Sequence, residues 1–408
     1  AFTVTWSSFA DLSGIGGAYY KLNAEPTHPA DGTYAAGATN QITGIQVPEE
    51  GKHSIYLWLR DGAGNANHLT RNVLNQALWL DITPPTTTHV LTGSLGLNGW
   101  YTSPVQVGLS AVDALSGVDR FFYRILGVTD WNQGQFFTIT TSGRHSIQYY
   151  AVDAAGNAES TKTGFVRVDL EAPLAPSNLR AEQVGWQSEN NFSAVWDNPQ
   201  DTSLIGAAYY KLDAPPAHPG DGALISNLLS PRIDGIHVPS EGKHDLYVWL
   251  RDNAGNSDHT HYAHVSQAFW YDARPPTTTY TITGTAGFAD WYRSPVSITF
   301  SAADEGSCVL STVYRVDGGL WQTGSALMVS AEGTHTVQFY SIDQAGNNEP
   351  LRTLTVKIDT RAPSSVVVGP AEFYQQENVF PVSWSGSDPT PGSGLLGYDI
   401  QYRMGRLG

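Results

Sequence analysis

The chain has 408 residues, of which 41% are hydrophobic and only 15% charged, with a net charge of −16 at pH 7. That length accommodates two to four domains. The acidic balance argues against a nucleic-acid backbone as partner, and no apolar run is long enough for a helical membrane span. Cys308 is the single cysteine, which excludes an intrachain disulfide and a cysteine metal cage.

In chain order, four segments overlay in two alternating types. Residues 1–82 match 171–273. TVTW (Thr3–Trp6) aligns with SAVW (Ser193–Trp196), AYYKL recurs at Ala18–Leu22 and Ala208–Leu212, and GKHSIYLWLRD (Gly51–Asp61) aligns with GKHDLYVWLRD (Gly242–Asp252). Residues 83–170 match 274–359 through PPTTT at Pro84–Thr88 and Pro275–Thr279, and through GWYTSPV (Gly99–Val105) with DWYRSPV (Asp290–Val296). The offset is 190–191 residues, so the repeating unit is a pair of modules. A fifth module occupies 360–408 and stops after VSWSGSD and LLGYDIQYR. The first module lacks the stretch that precedes the Trp strand in the third. Both ends therefore read as cuts through a module of something longer, or as ends completed by neighbours.

Hydrophobicity alternates with period two nearly everywhere, as in VQVGLSAVD (Val105–Asp113) and SIQYYAVD (Ser146–Asp153), and turn signals arrive every 8–12 residues. This predicts an all-β chain of antiparallel sandwiches of roughly seven strands each. Joints fall at DITPP (Asp81–Pro85), DLEAP (Asp169–Pro173), DARPP (Asp272–Pro276) and DTRAP (Asp359–Pro363). Their prolines predict a semi-rigid row, an extended rod. The first four modules each carry an Asp-x-Ala-Gly-Asn turn: Asp61–Asn65, Asp153–Asn157, Asp252–Asn256 and Asp343–Asn347. Gly supplies the positive-φ position, and Asp accepts from the amides of its own loop.

With these residues in view, the first type resembles a bacterial fibronectin type III domain. It has the strand-end Trp (Trp6, Trp196, Trp384), the aromatic third strand, and a sixth strand running into the Asp-x-Ala-Gly-Asn turn. The second type resembles the Ig-like repeats found in tandem in large exported bacterial proteins. The resemblance covers nearly the whole chain. It implies a non-catalytic stalk or shaft of an extracellular or cell-surface protein: an adhesin, a surface-layer protein or a filament component. Its partners would be neighbouring copies, other surface proteins or glycans. Two other readings remain open: carbohydrate-binding accessory modules of a secreted hydrolase, and a head-to-tail polymer subunit completed by strand addition.

Candidate sites follow from the same pattern. An incoming linker, the loop after strand two and the loop after strand six meet at one pole of an Ig-like sandwich. There they gather Asp81, Asp113, Asp153 and Asn157 in the second module, and Asp272, Asp304, Asp343 and Asn347 in the fourth. Carboxylate and amide oxygens at a joint suit Ca²⁺, the one cofactor the sequence suggests. The same residues also suit loops organised by their own hydrogen bonds, which is the reading for Asp61, Asn65, Asp252 and Asn256. Asp11 with Asp61 and Asp201 with Asp252 are the comparable pairs in the first and third modules. His259, His261 and His264 in DHTHYAHVS form a workable Zn²⁺ or Ni²⁺ half-site if His-x-His lies on a strand. The recurring Gly-x-His (His53, His145, His244, His335) is expected to brace a sandwich corner. The abundant Trp and Tyr serve either as cores or as sugar-stacking rings. No nucleophile elbow, zincin helix or phosphate loop occurs, so no catalytic residue is assigned.

Overall fold

A computed structural model describes residues 1–7, 10–226, 228–369, 378–379 and 381–403. Period-two alternation becomes strands that bury one face, as the burial of Val105, Val107 and Leu109 in Val105–Val112 illustrates. By compactness the chain divides into two units. One holds Ala1–Ala172 with Asp201–Leu204 and Asp252–Asn256; the other holds Pro173–Gln200, Ile205–Arg251 and Ser257–Gly408.

In the first unit, Phe2–Thr5 pairs with Gln41–Ile45, opposite a sheet ordered Thr33–Ala36, Ile15–Leu22, Gly51–Asp61, Asn72–Leu80. A second sandwich sets Phe136–Ile139, Val105–Val112 and Thr86–Thr92 against Asn132–Gln133, Val118–Ile125, Gly143–Asp153 and Lys162–Val168. In the second unit, one sheet is ordered Ser177–Ala181, Phe192–Asp197, Arg232–Ile236. Its partner sheet is ordered Trp186–Gln187, Ala263–Tyr271, Gly242–Asp252, Ile205–Leu212, Ala223–Ser226, the last residue of the long strand being counted with the first unit. The fourth sandwich sets Thr277–Thr283, Val296–Ala303 and Ala326–Val329 against Trp291–Tyr292, Arg352–Ile358, Gly333–Asp343, Val309–Val316 and Gln322–Thr323. Leaving aside the short parallel pieces, strands one, two and five form one sheet in the second, third and fourth sandwiches. Strands four, three, six and seven form the other. Both segment types thus share a single fibronectin III-like, Ig-like strand order.

Four separate cores fill these sandwiches. They centre on Ile55 and Leu57, on Ile147 and Val107, on Trp196 and Leu246, and on Phe339 and Ile298. Trp58 and Trp249 lie fully buried where the repeated strand reads YLWL and YVWL. Each indole donates to a proline carbonyl, Pro29 at 2.8 Å and Pro219 at 2.9 Å, so the polar end of the ring is satisfied inside the loop it pins. Past Asp359, Ser364–Val368 pairs with Ser383–Ser387. LLGYDIQYR (Leu395–Arg403) has no strand assignment; the third strands of the other sandwiches are held by the long Gly-x-His strand of their own sandwich. Among the described residues no helix is long and apolar enough to cross a membrane.

Candidate functional site

Each joint begins with an aspartate that directly follows the last strand of one sandwich. In the first unit the carboxylate of Asp81 accepts from the Ser116 amide at 2.8 Å. Asp169 does the same for the Ser203 amide at 3.0 Å. In the second unit Asp272 accepts from Ser307 at 2.6 Å and Asp359 from Ser393 at 2.7 Å. The same linker residue is also held through its backbone. The Nδ2 of Asn157 donates to the Asp81 carbonyl at 3.1 Å, that of Asn256 to Asp169 at 3.1 Å, and that of Asn347 to Asp272 at 2.8 Å. Linker, post-strand-two loop and Ala-Gly-Asn turn are therefore cross-linked by direct hydrogen bonds. This is a latch that flexible linkers lack.

The third component is the carboxylate that opens the turn. Asp153 is 1% exposed and accepts from Asn157 through both the backbone amide and the side chain, each at 2.7 Å. Its carboxyl pays for burial, yet the Asn157 hydrogen bonds hold it below the usual carboxylate range. Asp343, fully buried, accepts both bonds from Asn347 at 2.8 Å. Asp252 accepts from the Gly255 and Asn256 amides and from the Asn256 side chain at 2.7–2.9 Å.

These latches draw three carboxylates together. Oxygens of Asp81, Asp113 and Asp153 lie within 4.8 Å of one another, as do those of Asp169, Asp201 and Asp252, and of Asp272, Asp304 and Asp343. The loop bonds of Asp113, Asp201 and Asp304 fall on Oδ1 in each case. The middle triad is the most stressed. Burial, then the charges of Asp252 and Asp169, push the Asp201 carboxyl up to about 6. Burial chiefly, with Asp169 adding to it, also raises Asp252.

The six aspartates of the second and fourth modules therefore meet as the sequence places them. Asp252, assigned from sequence only to a loop motif, belongs to a triad of its own with Asp169 and Asp201. Asn157 and Asn347 take a different part from the one expected: each turns its amide nitrogen, not its oxygen, toward the carboxylates, so each is a cross-linking donor. Asp61 and Asn65 keep the turn alone, with Asn65 donating at 2.7 and 2.8 Å.

The three histidines separate. His264 Nε2 lies 3.0 Å from Asp245 and its ring stacks on Tyr247, whereas His259 and His261 flank Asp258 at 3.9 and 3.8 Å. His261 Nδ1 is occupied by the Pro173 carbonyl at 2.9 Å. One face of each of four outer Trp is already covered. Arg124 lies over Trp131 and Arg315 over Trp321, both at 4.6 Å, Lys52 over Trp79 at 4.0 Å, and Lys243 over Trp270 at 3.7 Å. Trp100 is 2% exposed and belongs to the interior.

No protein-family model matches the chain, and no curated protein matches it. Many solved structures are similar to the chain, three of them as follows. With the fibronectin(III)-like modules of Clostridium thermocellum CbhA it shares 13% identity, over 45% of this chain and 94% of that one, at a TM-score of 0.25. With the FN1–FN3 domains of chicken CNTN1 it shares 11% identity, over 67% and 100%, at 0.23. With a 1.5-MDa bacterial ice-binding adhesin it shares 13%, over 69% and 100%, at 0.31.

Proposed function

We propose that the chain is a non-catalytic spacing segment of an extracellular, cell-surface protein of the adhesin, surface-layer or filament kind. The modules are taken as 1–82, 83–170, 171–273, 274–359 and the start of a further one at 360–408. The observation that supports this reading is the linker latch. Within the first unit at Asp81, and within the second at Asp272 and Asp359, the aspartate that follows one sandwich is hydrogen-bonded into the loop of the next. A binding scaffold gains little from repeating a stiff joint, whereas a spacer depends on it, because a freely jointed chain loses reach in proportion to its flexibility. In this reading each aspartate triad takes a hard, oxygen-seeking divalent cation of the Ca²⁺ type, which cancels the repulsion among its carboxylates. The partners are further copies of the chain or other surface proteins, with glycans a secondary prospect because the outer Trp faces are partly covered.

Negative-stain electron microscopy tests the reading. The wild-type chain should show a narrow distribution of angles between modules. The variant Asp81→Ala, Asp169→Ala, Asp272→Ala, Asp359→Ala should show a broad one. A wild type already as freely jointed as the variant would refute it.

A further inference from the structure

The histidine of each Gly-x-His strand turns its Nε2 to the carbonyl four residues earlier. His53 meets Glu49, His145 meets Thr141 and His244 meets Ser240, all at 2.8 Å, and His335 meets Ala331 at 2.9 Å. What differs is the partner of Nδ1. In the first sandwich Nδ1 of His53 lies 2.8 Å from Nδ2 of Asn23, whose Oδ1 already accepts from the Ser54 amide at 3.1 Å. In the third and fourth sandwiches Nδ1 lies 2.8 Å from Asp213 and 2.7 Å from Asp317. Asn23, Asp213 and Asp317 occupy the same left-handed position in the fold, at φ 58°, 62° and 50°. The architecture is held constant while an amide is exchanged for a carboxylate.

That exchange decides how many protons the ring needs. Facing an amide donor and a carbonyl, a neutral imidazole satisfies both contacts with one N–H. Facing a carboxylate and a carbonyl, it needs an N–H on each nitrogen, so only the imidazolium makes both bonds. We propose that the His335–Asp317 pair is a proton-loaded fastener that grips its sandwich corner in acid and slackens in alkali. The Asn23–His53 pair builds the same corner with an amide in the carboxylate's place.

The surroundings leave the aspartate as the deciding charge. His335 stands opposite Val356 on the neighbouring strand and His244 opposite Phe269. Glu332, near His335, is committed to Thr360 and to Arg361. Near His244, Glu241 is committed to Arg274, Lys243 to the Trp270 ring, and Asp245 to His264 and the Gln267 amide. Asp317 also accepts from the Thr336 amide at 2.7 Å, which fixes its carboxylate against the ring. Burial of His335, the largest single influence, acts to lower its affinity for the proton, but the hydrogen bond and charge of Asp317 together with the backbone of Ala331 and Glu332 outweigh it, and the imidazole is raised above its ordinary value. A raised histidine contributes stability that is complete below about pH 6.5 and is lost as pH rises through the folded-state value.

The test uses the full chain with labelled histidine, following ring resonances from about pH 5 to about pH 9 and assigning them with single His→Gln variants. The expected result is a His335 ring that keeps both N–H groups above the pH at which free imidazole loses one. Asp317→Asn should move that titration to lower pH and flatten the pH dependence of the fourth sandwich's unfolding. Asn23→Asp should confer a pH dependence on the first. A wild-type His335 that titrates like free imidazole or below it would overturn the proposal, and the wild-type spectra alone decide this. An Asp317→Asn variant whose His335 titration does not move would overturn it equally.

Discussion

Three carboxylates within a few ångströms of one another repel unless a proton or a cation sits among them. Asp201 carries that repulsion most visibly, since its carboxyl is pushed up to about 6 by burial and by Asp252 and Asp169. Its unfolded value lies near 4. The charged form is therefore a burden on the folded state above about pH 6, and the burden is relieved as pH falls from about 6 to about 4. Asp201→Asn should raise the unfolding midpoint of that region in chelator at neutral pH and flatten its dependence across that window. A lower midpoint would show that Asp201 acts mainly through its bonds to Ser203. Ca²⁺ should substitute for the proton. Calorimetry in Ca²⁺ against excess chelator should give a higher midpoint, reflecting about 2.7 kcal/mol of added stability per site at a hundredfold excess over the dissociation constant. Identical traces would assign the triads to loop organisation alone.

Among the elements, the Ala-Gly-Asn turn does the joining. Asn347 serves its own sandwich through Asp343 and the linker through the Asp272 carbonyl. Asn347→Ala should cost about 1–3 kcal/mol and raise amide exchange in the linker at Asp272–Pro276, whereas exchange confined to the turn would contradict a latch. The loop pinned by Trp249 is as tightly specified. A Cβ at Gly222 would stand 2.4 Å from the indole and 2.6 Å from the Tyr210 carbonyl. Gly222→Ala should therefore destabilise the third sandwich by about 1–3 kcal/mol, measured by chemical unfolding. The strands themselves were legible in the sequence, because alternation such as Val105, Val107, Leu109 reports one buried face directly. The meeting of Asp81, Asp113 and Asp153 was legible too, since strand order puts those loops at one pole. What the pattern withheld was orientation. Whether Asn157 offers oxygen or nitrogen depends on the charge state of its neighbours, and the stacking of His264 on Tyr247 depends on a cross-strand partner that spacing does not name.

For the whole molecule, repetition is what turns a local latch into a property of the chain. Each sandwich keeps its own core, so stability is close to a sum of modules with nearest-neighbour terms, and a weakened joint should change reach before it changes folding. Small-angle scattering of the full chain in Ca²⁺ measures that reach most directly. In the spacer account four modules of about 35 Å each would make a row of about 140 Å, for which the radius of gyration would be about 40 Å. A compact body of this many residues would give about 22 Å. A value near the larger figure, falling when the four linker aspartates are changed to alanine, is the result the spacer account predicts. A value near the smaller one, indifferent to those substitutions, would contradict it.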